Sequence, residues 1–233
     1  WEMLTLPVAE TPGGGIAREA FDRLFGEEAR YKAVVVGPGL GRDPSTQELV
    51  RRMVRDVEAP LVLDGDALAA VTPGMLDERR FPWVATPHPG EMARLFQTTP
   101  ERVQADRFGF ARRLAGNGAG VAVLKGAKTV IAQAGRPLWV NPTGNPAMAS
   151  GGMGDVLAGV IGALLVQGIP PLAAAASGVY LHGLAADLWV DETGAETAAA
   201  GQVLNRLQGT LRWVRDESGP AGSSPWKPGL RRD

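Results

Sequence analysis

The residues best suited to chemistry lie in a glycine-rich segment at residues 141–155, which reads NPTGNPAMASGGMGD. A long apolar run follows at once and predicts a helix over residues 155–167. Glycines let backbone N–H groups converge on one point, and a helix N-terminus attracts anions through those groups and its dipole. We therefore expect an anion hole that binds a phosphate group. It comprises Gly151, Gly152, Met153 and Gly154.

Asp155 follows the predicted anion hole directly. A carboxylate beside a bound phosphate can orient a phosphate-accepting hydroxyl and take its proton, so Asp155 is the candidate catalytic residue. The alternative interpretation is a helix cap on a flexible loop. Capping needs one polar residue, however, and does not account for the four glycines between Gly144 and Gly154.

Two acidic residues lie where a predicted strand at residues 61–64 ends. Open α/β sheets bind ligands at the carboxyl ends of their strands. Mg²⁺ takes few carboxylates and keeps several waters, so Asp64 and Asp66 are candidates to hold this ion through water. Asp66 is equally suited to capping the helix that follows, and the sequence leaves both interpretations open.

His88 is one of two histidines and lies between Pro87 and Pro89, after a predicted strand at residues 83–86. The prolines restrict its backbone and keep it out of a regular helix. A rigid loop at the end of a strand suits a ligand contact, although a lone histidine is more often structural. His182 lies in an apolar helix and is expected to be a satisfied core residue.

A short basic loop joins two further predicted strands. It comprises Lys125, Gly126, Ala127, Lys128 and Thr129. The lysines bring positive charge and the glycine permits close backbone approach, as a nucleotide site needs. The alternative is a charged hairpin turn. The P-loop pattern G-x-x-x-x-G-K-[ST] is absent from the sequence.

The loop GPGLG at residues 37–41 follows one predicted strand and precedes a helix. It is open to interpretation as a Rossmann dinucleotide turn, with Asp64 holding a ribose, or as a simple strand-to-helix turn. The spacing is G-x-G-x-G rather than G-x-G-x-x-G, and Pro38 removes a donor, so the Rossmann interpretation is weak.

Composition excludes several classes of function. The chain has 233 residues with 24 basic and 25 acidic side chains, so no strong field attracts nucleic acid or an anionic membrane. It has no cysteine and hence no disulfide or zinc–thiolate site. No uninterrupted apolar stretch of about 18 residues predicts a membrane-spanning helix.

Strands alternate with helices through the first half of the chain, which predicts an α/β sandwich with a parallel sheet. One of these helices is expected at residues 45–57, with Ser45 as its N-cap and Glu48 completing a capping box. Strands at residues 129–132 and 137–140 are expected to form an antiparallel hairpin. One domain is predicted over residues 1–216, followed by a flexible tail at 217–233.

Five segments together resemble the ADP/ATP-dependent NAD(P)H-hydrate dehydratases of the ribokinase-like superfamily. They are GPGLGRD at residues 37–43, LVLDGDAL at 61–68, TPHPGEMARL at 86–95, LKGAKTVIA at 124–132 and NPTGNPAMASGGMGDVLAG at 141–159. Each motif is moderately specific, and all occur in the family's order. The resemblance implies a ribokinase-like three-layer α/β/α sandwich around a mostly parallel sheet.

The resemblance also implies an activity, the nucleotide-dependent dehydration of (6S)-hydrated NADH or NADPH, with ADP or ATP and Mg²⁺. Phosphorylation of the C6 hydroxyl makes a good leaving group, and loss of phosphate restores the double bond. Asp155 would engage that hydroxyl. Gly39, Gly41 and His88 would contact the hydrated cofactor.

The same resemblance assigns residues 125–129, together with Gly154, to the nucleotide, with Lys125 directed toward its phosphates. It assigns Asp64 and Glu91 to the metal. It further implies a cytoplasmic homo-oligomer, with an NAD(P)H-hydrate epimerase as a fused or separate partner.

Two alternatives stay open for the same motifs. A small-molecule kinase of this superfamily, such as a vitamin-precursor kinase, would use the same Asp155 and release a phosphorylated product. An inactive nucleotide-binding protein is the other, because the family's opening strand–helix–strand is expected to be missing ahead of PVAETPGGG at residues 7–15. A strand–helix–strand unit takes about 30 residues or more.

Overall fold

The computed structural model of the chain describes residues 3–26 and 31–217, and its six strands form one sheet in the order β1-β2-β3-β4-β5-β6. They are β1 (Val34–Val36), β2 (Leu61–Leu63), β3 (Trp83–Ala85), β4 (Gly120–Leu124), β5 (Val130–Gln133) and β6 (Trp139–Val140). β1 to β4 pair in parallel, whereas β5 pairs antiparallel with both β4 and β6. The predicted mostly parallel sheet with a hairpin is therefore confirmed.

Ten α-helices connect and cover the strands within the described ranges. They are α1 (Phe21–Phe25), α2 (Pro44–Asp56), α3 (Asp66–Ala70), α4 (Pro73–Asp77), α5 (Pro89–Leu95), α6 (Pro100–Ala105), α7 (Arg107–Ala115), α8 (Met153–Val166), α9 (Pro171–Thr193) and α10 (Ala200–Glu217). Short 3₁₀ helices lie at Arg18–Ala20 and Pro146–Met148. Across residues 3–26 and 31–217, no helix combines the length and apolar character that a membrane crossing requires.

Side chains alternate along each strand, and this alternation builds two cores, one on each face of the sheet. Leu61 and Leu63 of β2 pack in a cluster with residues of α2 to α7. Val62, between them, packs on the opposite face with residues of α8 and α9. α10 lies on α9. Helices on both faces of the sheet make the three-layer sandwich that the motifs imply.

β1 forms one edge of the sheet in the described part of the chain. Its Val35 is 40% exposed, and α8 approaches it closely, since a Cβ built on Gly162 would lie 2.4 Å from Val35 Cγ2. A glycine is therefore needed where α8 crosses this strand. The expected absence of an opening strand–helix–strand stays a prediction.

The predicted N-cap of α2 is wrong by two residues. Asp43, not Ser45, is the N-cap, and its Oδ1 accepts a hydrogen bond from Ser45 N at 2.8 Å. Pro44 occupies the first helical position, where its missing N–H costs nothing, so the cap lies before it. Ser45 Oγ instead accepts from Arg18 N and ties the N-terminal segment to α2.

The C-terminal helix is longer than the sequence pattern predicts. α10 includes Glu217, whereas the expected tail begins at residue 217. The remainder of that tail, residues 218–233, lies outside the described residues. The division of the chain into a domain and a tail stays a prediction.

Candidate active site

The carboxyl ends of three neighbouring parallel strands bring one ionic cluster together. Asp64 follows β2, Thr86 follows β3 and Lys125 follows β4. Asp64 Oδ1 accepts hydrogen bonds from Thr86 Oγ1 and from Lys125 Nζ, both at 2.6 Å. Because β2, β3 and β4 run parallel and in register, residues far apart in sequence meet at one edge of the sheet.

Burial makes this cluster tightly constrained. The Asp64 side chain is 3% exposed and that of Lys125 is 18% exposed. A buried carboxylate without a partner is strongly unfavourable, and the ammonium and the hydroxyl both compensate for the burial of Asp64. Lys125 Nζ also lies 3.9 Å from Glu91 Oε2. The ammonium is thus shared by two carboxylates, and the cluster is held in one arrangement.

The N-terminus of α8 abuts this pair. A Cβ built on Gly154 would lie 3.1 Å from Lys125 Nζ and 3.4 Å from Asp64 Oδ2. The helix starts after Gly152, whose φ of 82° is left-handed and favours glycine. Backbone N–H groups at the start of this 14-residue helix have no intrahelical acceptors and carry the positive end of the dipole. The predicted anion hole is therefore adjacent to Lys125, and Asp155, in the first turn, is exposed to solvent.

His88 and Glu91 form a capping box at the start of α5. His88 Nδ1 accepts from Gly90 N at 3.0 Å and from Glu91 N at 3.3 Å, while Glu91 Oε2 accepts from His88 N at 2.7 Å. Because Nδ1 accepts, Nε2 is the ring nitrogen that can donate. Nε2 lies 3.5 Å from Glu91 Oε1, and half of the His88 side chain is exposed to solvent.

The basic loop between β4 and β5 is built by contacts from several elements. Arg107 of α7 donates from Nη2 to the carbonyls of Leu124 at 3.1 Å and Lys125 at 3.4 Å. Burial lowers the pKa of Arg107 from its ordinary value. Lys128 has a left-handed φ of 56° and donates to Pro142 O. Lys128 is therefore held at Pro142, whereas the Lys125 ammonium lies beside Gly154 at the start of α8.

A cavity of about 510 Å³ lies between the basic loop and the glycine-rich segment. Residues 125–129, Met153 and Gly154 line it, together with residues 143–146 and Val179, His182 and Gly183 of α9. Ligand pockets for nucleotide-sized molecules span roughly 300–1,000 Å³. The structure thus brings the predicted nucleotide loop and two residues of the predicted anion hole, Met153 and Gly154, onto one cavity, whereas Gly151 and Gly152 are not part of its lining.

His182 corrects the prediction of a satisfied core residue. It is buried, but it lines the cavity, and its Nε2 has no hydrogen-bond partner among the described residues. Burial, together with the positive charge of Lys125, lowers the pKa of His182 to about 4. The imidazole is therefore neutral at neutral pH.

The glycine loop after β1 lies on the neighbouring part of the same sheet edge. Gly37 touches the backbone of Asp64, since a Cβ there would lie 1.7 Å from Asp64 O. Gly39 and Gly41 have left-handed φ values and open space around them, outside the lining of the cavity described above. Asp66 Oδ2 accepts from Gly41 N at 3.0 Å.

The capping interpretation of Asp66 is wrong. The N-cap of α3 is Gly65, with no side-chain cap, and Asp66 Oδ1 instead accepts from Arg42 Nε at 3.1 Å. Asp66 therefore binds the glycine loop at Gly41 and Arg42, and its role as a metal ligand stays a prediction.

The donor chemistry fits a metal that arrives with a nucleotide better than a metal held by the protein alone. Across residues 3–26 and 31–217, no group of three or more His, Cys, Asp or Glu side chains is arranged to hold a metal ion. Asp64 and Glu91 share the ammonium of Lys125. Mg²⁺ commonly takes one or two carboxylates plus substrate phosphates, and these two carboxylates suit that arrangement.

Two residues of the site were not predicted from the sequence, Arg107 and Asp187. Arg107 supports the basic loop from α7, and no local pattern distinguishes it from the other arginines of that helix. Asp187 of α9 accepts from Gly144 N and from Asn145 Nδ2, both at 2.8 Å. A single acid within the apolar run LHGLAADLWV at residues 181–190 was the available signal, because unpaired acids are rarely buried.

A three-layer sandwich with a glycine-rich helix N-terminus at the carboxyl ends of parallel strands defines a ribokinase-like protein. A solved ribokinase-like superfamily protein from Enterococcus faecalis shares 28% identity with a TM-score of 0.64, covering 81% of this chain and 64% of that chain. Within this class the chain belongs to the NAD(P)H-hydrate dehydratase family, whose family model matches residues 8–208.

Two relatives within the family are informative. The crystal structure of an ADP/ATP-dependent NAD(P)H-hydrate dehydratase from Bacillus subtilis, co-crystallized with ATP/Mg²⁺, shares 36% identity with a TM-score of 0.74; the match covers 84% of this chain and 70% of that chain. The bifunctional NAD(P)H-hydrate repair enzyme Nnr of Moorella thermoacetica is 44% identical over 218 residues. That match covers 93% of this chain but 41% of the relative, so the chain spans about two fifths of the length of this curated relative.

Proposed function

We propose that this chain is a nucleotide-dependent NAD(P)H-hydrate dehydratase. The observation that carries the proposal is the meeting of the Lys125–Asp64 pair with Gly154 at the N-terminus of α8, on the cavity lined by the basic loop. Family membership supports the substrate, since the relatives are named for hydrated NAD(P)H.

The proposed reaction has two steps that balance. The C6 hydroxyl of the hydrate attacks the terminal phosphoryl group of ADP or ATP, losing its proton and releasing AMP or ADP. The C6–O bond then breaks, inorganic phosphate leaves, and loss of a proton from the neighbouring ring carbon restores the double bond. The net change is removal of water from the hydrate and hydrolysis of one phosphoanhydride bond.

Each proposed residue role follows from position. Asp155, exposed in the first turn of α8, accepts the proton of the C6 hydroxyl. The backbone N–H groups of residues 151–154 bind the transferred phosphoryl group, and Lys125 balances its charge. His88, whose side chain is half exposed, contacts the hydrated cofactor, and Gly39 and Gly41 leave space for it. The nucleotide occupies the cavity beside residues 125–129.

Mg²⁺ belongs to the same proposal. The Bacillus subtilis relative was co-crystallized with ATP/Mg²⁺. Asp64 and Glu91 are the carboxylates that would hold the ion, which when bound to the nucleotide neutralises phosphate charge. Asp64, whose Oδ1 is hydrogen-bonded to Lys125 and Thr86, presents its Oδ2 beside Gly154 and the predicted phosphate position.

The proposal also includes the oligomeric state, the location and the partner enzyme of the protein. A homo-oligomer and a cytoplasmic location rest on the family resemblance. A partnership with NAD(P)H-hydrate epimerase is supported by the bifunctional name of the Moorella thermoacetica relative, which is much longer than this chain.

Recovery of absorbance at 340 nm tests the proposed activity, because hydration of the nicotinamide ring abolishes the NADH absorbance there. Hydrated NADH is incubated with Mg²⁺ and the protein, with ADP or ATP in separate reactions. We expect a nucleotide-dependent rise that Asp155→Asn removes. Asp191→Asn, an exposed acid of α9, is the matched control and should leave the rise unchanged.

The product of the reaction distinguishes the dehydratase from the two alternative functions. A stable phosphorylated small molecule without absorbance recovery would replace the dehydratase by a small-molecule kinase. Nucleotide binding with no turnover of either kind would favour the inactive nucleotide-binding protein.

A further inference from the structure

The loop at residues 143–145 forms one wall of the cavity and makes three hydrogen bonds to α9. Thr143 Oγ1 donates to Tyr180 O at 2.9 Å. Gly144 N donates to Asp187 Oδ2, and Asn145 Nδ2 donates to Asp187 Oδ1, both at 2.8 Å. Asp187 thus uses both carboxylate oxygens on two successive loop residues.

These three hydrogen bonds require the loop and the helix to approach each other closely. Tyr180, Gly183 and Asp187 are spaced by three and four residues, so they lie along one face of α9. A Cβ built on Gly183 would lie 2.4 Å from Thr143 Oγ1 and 2.8 Å from Gly144 N. The absence of a side chain at Gly183 therefore lets the loop backbone reach Asp187.

We propose that Asp187 is a positioning residue for the nucleotide site, acting through Gly144 and Asn145 on the cavity wall. The inference rests on the proposed function, because the cavity is taken to hold ADP or ATP. Gly144 has a left-handed φ of 95°, and Asn145 Oδ1 caps the 3₁₀ helix at Pro146–Met148 by accepting from Ala147 N. Fixing these two residues fixes the course of the chain from the end of β6 to that helix.

The position of Asp187 indicates that its side chain does not contact the reacting groups. It contacts the loop through two hydrogen bonds, and it is absent from the residues that line the cavity. Its loss should therefore weaken nucleotide binding without removing a reacting group. We expect the KM for the nucleotide to rise while kcat and the KM for hydrated NADH stay near their original values.

Asp187→Asn is the first test. The new amide would direct an N–H group at one of two donors, so one charged hydrogen bond is lost and one donor is left unpaired. We expect the Kd for ADP and ATP, measured by titration calorimetry, to rise about tenfold, the effect of losing one charge-assisted bond. Asp191→Asn, one turn further along α9 and exposed, makes the same chemical change as a control and should leave the Kd unchanged.

An exchange of partners distinguishes positioning from general damage to the helix. In Asn145→Asp/Asp187→Asn, the amide oxygen introduced at position 187 would accept from Gly144 N. The amide nitrogen introduced there would donate to the new carboxylate at position 145, which still caps Ala147. Asn145→Asp alone places two carboxylates together and should also weaken nucleotide binding. The double variant should restore the Kd to within about threefold of the original protein.

The outcomes are distinct. Unchanged nucleotide binding by Asp187→Asn would overturn the proposal, and so would a double variant that binds as weakly as the two single losses combined. If the original protein binds neither ADP nor ATP, the proposed nucleotide site fails first. Thermal unfolding of every variant identifies any that fails to fold, in which case the double variant alone decides the question.

Discussion

Lys125 Nζ lies 2.6 Å from Asp64 Oδ1, 61 positions away in sequence, and Gly154 leaves just enough space beside both. One charge pair therefore links the end of β2, the end of β4 and the start of α8.

Removing the Lys125 ammonium should destabilise the protein. In Lys125→Met the buried Asp64 carboxylate keeps its desolvation cost but loses its main partner. We expect the free energy of unfolding, measured in urea, to fall by about 3 kcal/mol, together with loss of nucleotide binding. Lys32→Met, at an exposed position, is the control. A Lys125→Met protein as stable as the original would mean that Asp64 does not depend on this pair.

Gly154→Ala should separate binding from stability. The added Cβ would lie 3.1 Å from Lys125 Nζ, so the ammonium must move. We expect the KM for nucleotide to rise at least about tenfold, while stability changes by less than about 1 kcal/mol because alanine favours the helix. Gly159→Ala, in open space on the same helix, should retain activity and gain stability. Equal losses of activity in both variants would contradict the role assigned to Gly154.

Arg107→Met should loosen the basic loop. The guanidinium donates to the carbonyls of Leu124 and Lys125, and its removal leaves both with one donor fewer. We expect weaker binding of ADP and ATP, by roughly tenfold, with a smaller effect on hydrated NADH. Arg112→Met, at an exposed position of α7, provides the comparison. An effect confined to hydrated NADH would place the nucleotide elsewhere.

Stability should depend on pH through His182. The pKa of His182 is about 4 in the folded protein, below its ordinary value of 6.5. As pH falls below 6.5 the unfolded chain takes up a proton before the folded protein does. This contribution therefore lowers the free energy of unfolding between pH 6.5 and 4, by up to about 3 kcal/mol, and is constant above pH 6.5.

Urea unfolding at pH 7, 5.5 and 4.5 measures this dependence. His182→Gln cannot titrate in this range and should show a shallower loss of stability. Parallel curves for the two proteins would mean that the folded protein accepts a proton on His182 without penalty.

Much of the fold was predictable because its signals are local. The apolar runs of β2, β3 and β4, the turns between them and the apolar α8 each follow from neighbouring residues. The start of α8, which carries the predicted anion hole, was predictable for the same reason, since residues 151–155 are contiguous. The cap of α2 was mispredicted only because Pro44 moves the helix start to Asp43.

The side-chain partnerships were not predictable from local pattern. Arg79 and Arg80 are adjacent, yet only Arg79 is buried, where it donates to the carbonyls of Val54, Val57 and Ala59. Asp66 was expected to cap α3 but binds Gly41 and Arg42 instead, because the loop that it binds comes from another part of the chain. Such contacts depend on the packing of distant elements rather than on the residues beside them.

The sequence by itself determined the class of the protein, the sheet edge that carries its candidate site and the glycine-rich segment at the start of α8, because each of these is encoded within short runs of residues. Only the tertiary structure decided that Lys125 is paired with Asp64, that His182 lines a cavity and that Asp187 holds the opposite wall. Those features require strands and helices distant in sequence to meet within hydrogen-bond distance, and no spacing along one segment specifies that meeting.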